Sequence, residues 1–148
     1  MKEAAFSYTS DPAGYAVVFA PGMLVALDSP GASRLAALWE IVRGEAGMSG
    51  VIDSIITEGL KSYPNLIAVE WRTPDAKPAE ARLLVRGTAV MTTTDSKGHV
   101  KSFDAKGLRT WRELVVPDVA GVEFGEVKAD SLLPLGSGVV MSGAVKWV

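Results

Sequence analysis

Between Tyr15 and Leu27 the chain is apolar except for one interruption, Pro21-Gly22. Two short apolar runs around a turn dipeptide read as adjacent strands, Tyr15 to Ala20 and Met23 to Leu27, closed by a tight reversal. A hairpin therefore opens the fold. Directly after it, Asp28-Ser29-Pro30 supplies a cap residue and a proline suited to a first helical position, with Ser33 as a second possible cap. Leu35, Leu38, Trp39 and Val42 then recur at i, i+3, i+4 and i+7, one stripe of a helix that leaves Arg34 and Arg43 to water. Gly44 or Gly47 stops it. Ser49 is placed to cap a second helix, with an apolar face of Val51, Ile52, Ile55, Ile56 and Leu60 and a last turn weakened by Gly59. Both faces need something to be buried on.

From Leu66 onward the period changes from helical to alternating. Ile67, Val69 and Trp71 share one face of a strand, and Arg72 to Pro78 reads as a proline-rich turn. Ala81 to Arg86 is the next strand, and Gly87 marks a bulge or bend before it continues through Thr88 to Thr94. Asp95 to Gly98 turns the chain into Val100 to Phe103, Asp104 to Gly107 turns it again, and Arg109 to Val116 forms a strand that ends at Pro117. Val122 to Val127 and Val139 to Trp147 complete a meander. The expected fold class is α+β: an N-terminal β-hairpin, two amphipathic helices, then a mainly antiparallel β-sheet, as a single domain over residues 1–148.

A chain of 148 residues, 48% of them hydrophobic, buries roughly 68% of its unfolded surface, enough for a core without staples. The absence of cysteine removes disulfides, thiolate catalysis, iron–sulfur clusters and cysteine-ligated zinc. A formal net charge of −2 gives no electrostatic footprint for nucleic acid or an anionic membrane, so neither is expected as a partner. The start carries no sustained apolar region of a signal peptide, and no window reaches the ~18 apolar residues of a membrane span. A cytoplasmic location is expected.

The chemistry-bearing residues form no recognisable constellation. His99, the one histidine, follows a turn, where the ordinary reading is polar surface. Leu135-Gly136-Ser137-Gly138 is a Gly-Ser turn and not a nucleophile elbow, and Gly121 to Gly125 lacks the following helix that holds a phosphate. Asp11, Asp28, Asp53, Asp75, Asp95, Asp104, Asp118 and Asp130 are scattered singly, mostly where aspartate caps or reverses the backbone. Trp39, Trp71, Trp111 and Trp147 fall on one helix and three strands, positions that packing explains. Arg72, Arg109 and Arg112 are too few for a nucleic-acid platform. No catalytic, cofactor-binding or metal-binding residue is assigned, no cofactor is expected, and the chain is read as a non-enzyme.

Arg34 to Ile41, Val85-Arg86-Gly87 and Gly107 to Val116 together resemble the N-terminal region of bacterial proteins that carry a forkhead-associated (FHA) domain at the C-terminus. That resemblance implies a module of a longer signalling protein, non-catalytic and engaged in protein interaction or regulation. The order of elements is also similar to the first half of PPM-type metal-dependent phosphatases, which implies a truncated sandwich. In that family an Asp-Gly metal motif ends a strand; here Asp28 is followed by Ser29, and Asp11 stands where an early metal aspartate would. The alternatives to an interaction module are thus a degenerate or minimal phosphatase with Asp11 and Asp28 as ligands, or a small-ligand-binding domain. An exposed sheet edge or a patch beside Trp111 is the expected contact surface.

Overall fold

The expected hairpin forms, with β1 (Phe6–Ala20) pairing antiparallel to β2 (Met23–Leu27) from Ala16 opposite Leu27 to Ala20 opposite Met23. The computed structural model describes residues 6–28, 32–71, 79–125 and 132–147. Helices α1 (Ala32–Arg43) and α2 (Gly47–Glu58) follow, then a 3-10 turn over Leu60–Ser62. The remaining strands are β3 (Leu66–Trp71), β4 (Ala79–Arg86), β5 (Val90–Thr94), β6 (Val100–Asp104), β7 (Arg112–Val119), β8 (Gly121–Gly125), β9 (Leu132–Pro134) and β10 (Gly138–Trp147).

All ten strands join one sheet in the order β6-β5-β8-β10-β1-β2-β3-β4-β7, with β9 also on β1. It curls into a nearly closed barrel with two helices, which corrects the α+β arrangement and the phosphatase-like sandwich expected from sequence. The reason is a long-range pairing. β1 continues past the hairpin to Phe6 and pairs along β10 up to Trp147, so the hairpin sits in the middle of the sheet and is not a separate opening unit. Residues 11–14 interrupt that ladder, since Ser10 and Tyr15 both stand opposite Ser142.

Burial explains the apolar runs of β1 to β4. Val17, Phe19, Leu24, Ile67, Val69 and Leu83 point into the curl, where they meet Phe6, Trp71, Met91 and Phe124. Val18, Val25, Leu27, Leu66, Ala68 and Leu84 point the other way, beneath Leu38 and Val42 of α1 and Met48, Val51 and Ile55 of α2. Strands covered on both faces carry no polar alternation, because each side chain moved out of water stabilises the fold by about 1.5–3 kcal/mol. Of the expected helical stripes, Leu38, Val42, Val51 and Ile55 are buried, while Ile56 faces solvent.

Several local expectations are corrected. Ser49 lies inside α2 and does not cap it; the cap residue Ala46 makes no side-chain cap bond, and Glu70 Oε2 on β3 instead accepts the Met48 N–H at 2.9 Å. Gly47, at φ +60°, makes that approach possible, because a Cβ there would lie 2.0 Å from the same oxygen. A carboxylate on an orphan N–H at a helix start is worth about 1 kcal/mol. Glu70→Ala is therefore expected to cost about 1 kcal/mol in urea unfolding, and an unchanged midpoint would show that α2 needs no cap from the sheet. Arg34 does not face water: it donates to Ser62 O at 3.3 Å and lies over the Tyr63 ring at 5.1 Å. Trp111 precedes β7 and packs on the helix side. β7 runs through Pro117 to Val119, which this end strand accommodates where its ladder to β4 shifts register between Ala79 and Ala81. Gly87 ends β4, and β5 leaves to pair with β6 and β8. Ser29, Pro30, the Arg72 to Pro78 turn, Asp75 and Asp130 lie outside the described residues.

Candidate functional site

The curl ends at two strands, β6 and β7, each paired on one side only. They are consecutive in sequence and form the two ends of the strand order, and no ladder joins them. The β5–β6 hairpin is closed by Asp95, whose N–H donates to His99 O at 3.0 Å while its carbonyl accepts from Gly98 N–H at 3.1 Å. The side chain reinforces the turn: Asp95 Oδ1 accepts the N–H groups of Lys97 and His99, and Oδ2 lies 3.1 Å from His99 Nδ1. The His99 backbone N–H, more than any other contact, holds the Asp95 carboxyl below the usual aspartate range, with Lys97 N–H and the His99 ring adding to it. His99 thus serves a turn, as its position in the sequence suggests.

The ladder phase follows from that closure. Asp95 and His99 form a hydrogen-bonded pair, so by alternation Thr93 with Lys101 and Met91 with Phe103 do as well. The N–H and C=O groups of Val100, Ser102 and Asp104 therefore point away from β5, to the open side of β6. Contacts made through side chains bridge the gap. Arg112 of β7 stacks on the Phe103 ring at 5.6 Å, and Ser96 Oγ donates to Asp118 Oδ2 at 2.7 Å. Between these bridges lies a cavity of about 210 Å³ walled by Thr93, Lys101, Val116, Pro117 and Asp118. Asp118 Oδ1 is buried with no hydrogen-bond donor from the protein, a costly state for a carboxylate oxygen. Phe103, Leu114 and Val116 give the seam a half-buried apolar inner face, while Val100 and Val115 are exposed outside.

The aspartates named from sequence are not brought together. Asp28, at the end of β2, accepts from Asn65 Nδ2 at 2.7 Å, whereas Asp11 packs against Gly143. Among the described residues, no group of three or more His, Asp or Glu side chains could hold a metal ion. Ser137 lies in the connection between β9 and β10, and Gly121–Gly125 is strand β8. Asp104 accepts Lys106 N–H in its turn, and Asp53 is exposed on α2. Trp71 stacks among Phe6 and Phe19, and Trp39 packs on the helix-side core. Lys101, Arg112 and the free edge of β6 were not singled out as a site from sequence, since an unpaired edge depends on the topology of the whole sheet. No helix among the described residues is long and apolar enough to cross a membrane. No family model matches the chain, and no curated protein or solved structure matches it.

Proposed function

We propose that the chain is a non-catalytic protein-interaction module that takes an extended peptide segment as an added strand in the β6–β7 seam. The observation that supports it is the pair of facing, unpaired strand edges, a template whose main-chain groups give affinity and whose alternate side chains give specificity. The inner face of the seam asks for apolar residues at every second position, opposite Phe103, Leu114 and Val116. Lys101 and Arg112 flank that face, and the acids beside them, Asp95 and Asp118, already accept from His99 and Ser96. An acidic residue beside the apolar ones therefore fits. A backbone N–H of the incoming strand would supply the donor that Asp118 Oδ1 lacks. The setting implied by the sequence resemblance is a cytoplasmic signalling protein with an adjoining FHA domain.

The test is selection from a displayed library of random decapeptides, followed by Ser102→Pro. Proline at Ser102 removes an N–H that points into the seam and leaves the β5 ladder intact, apart from a 3.3 Å hydroxyl contact to Thr92. Alternating apolar and acidic peptides are expected, with affinity falling roughly tenfold or more in the variant, the loss of about one well-placed hydrogen bond plus its blocked neighbours. Selected peptides that bind the variant equally well would contradict the reading.

A further inference from the structure

Another cavity lies away from the seam, lined by residues of β1, β3, β5 and β8 and of the β4–β5 turn. Its volume is about 370 Å³, within the lower part of the range for small-molecule sites, about 300–1,000 Å³. Ile67 and Ala89 make an apolar floor, and Tyr15 and Phe124 form a wall in which the two rings meet at 90° with centroids 5.8 Å apart. One charged residue is in the lining, the half-buried Glu123 beside Phe124 on β8. Lys146 stands opposite Glu123 on β10, but no ion pair within 4 Å joins them.

A second carboxylate stands behind Tyr15. Asp28 Oδ2 accepts from Asn65, and Asn65 Oδ1 accepts from both the N–H and the hydroxyl of Thr88 on the cavity rim. Asp28 Oδ1 is buried and has no hydrogen-bond partner. Burial raises the Tyr15 pKa, and the negative charge of Asp28 raises it further, so the phenol stays neutral. Glu123 in the lining and Asp28 behind Tyr15 are thus acidic groups beside two aromatic rings and an apolar floor, and no Lys or Arg is in the lining.

We propose that this cavity binds a small organic cation, an amine whose ammonium meets Glu123 and whose hydrocarbon body lies against Ile67, Ala89 and the Tyr15 and Phe124 rings. Each part of the ligand has a counterpart: the ammonium has a carboxylate and ring faces, and the body has apolar surface to leave water for. None of the residues lining the cavity is in β6 or β7, and a link to the seam is the 3.3 Å hydroxyl contact of Thr92 with Ser102.

Titration of the ¹⁵N-labelled chain with phenethylammonium, 2-phenylethanol and phenylacetate tests it. Phenethylammonium is expected to give saturable shifts at the Tyr15, Phe124 and Gly125 amides, with the alcohol roughly tenfold weaker, the size of one charge-assisted contact, and the anion without effect. Glu123→Gln should bring the ammonium down to the level of the alcohol. If Glu123→Gln does not fold, Asp28→Asn replaces it as the variant that must weaken the ammonium selectively. Equal affinity for the ammonium and the alcohol, shifts confined to other faces, or shifts that never saturate would overturn the proposal.

Discussion

Replacing Arg86 by methionine is expected to lower the unfolding free energy by about 4 kcal/mol, a large share of the roughly 5–15 kcal/mol that holds a domain together. The guanidinium of Arg86 ties together parts of the chain that are far apart in sequence. Its Nε donates to Tyr63 O at 2.6 Å and its Nη2 to Leu60 O at 2.9 Å, fixing the 3-10 turn that leads into β3. Its Nη1 reaches Arg109 O at 2.9 Å and also Thr110 O, fixing the segment from which β7 starts. Hydrogen bonds to a charged donor are worth about 1.5–3 kcal/mol each, and those shared by one side chain are not additive, so the total is set well below their sum. Methionine keeps the length and apolar stem but none of the donors. Lysine should recover only a small part, because an ammonium cannot reproduce the planar fork. Urea unfolding checks both variants; a loss under about 1 kcal/mol for Arg86→Met would mean that solvent replaces the guanidinium at these carbonyls.

Gly87→Val is expected to cost about 3–4 kcal/mol by a different route. Gly87 sits at φ +78°, a conformation that a β-branched residue adopts only with strain. A Cβ there would lie 2.1 Å from Pro64 O and 2.2 Å from Asn65 Oδ1. Backbone cannot yield cheaply, so Asn65 would have to move and release both Thr88 and Asp28. The variant should also disturb the cavity rim, which the Tyr15 and Thr88 amide shifts would report. Gly87→Ala isolates the backbone and Cβ part and should cost less. A valine variant with unchanged stability would show that the β4–β5 turn adopts another path.

Arg86 and Gly87 show what the sequence makes legible and what it hides. The glycine stands out locally as a break in a strand pattern, and it does end β4. Nothing local to Arg86 marks it as a staple, because its acceptors lie 23 to 26 residues away on other elements. The same distinction runs through the fold. The β1–β2 hairpin, the apolar stripes of α1 and α2 and the turns at Asp95 and Asp104 follow from periodicity and turn chemistry over a few residues. The pairing of β1 with β10 joins the two ends of the chain, and no local pattern encodes it. That pairing converts an expected layered α+β arrangement into a curled sheet, and it leaves β6 and β7 as the strands paired on one side only. Glu70 was hidden likewise, since a cap supplied from β3 cannot be seen at the start of α2, where Ser49 looked suitable. That β6 and β7 are the ends of the sheet follows only from the pairing of all its strands, which no local pattern carries.

Amide hydrogen exchange across β6 tests the open seam most directly. Ladder alternation directs the N–H groups of Lys101 and Phe103 to β5, and those of Val100, Ser102 and Asp104 to the seam. In the isolated chain, Lys101 and Phe103 should be protected while Val100, Ser102 and Asp104 exchange close to the rate of a free peptide, and a selected peptide should protect the second set. Protection of Val100, Ser102 and Asp104 without any peptide would mean that the seam is already closed, and the strand-addition account would fail.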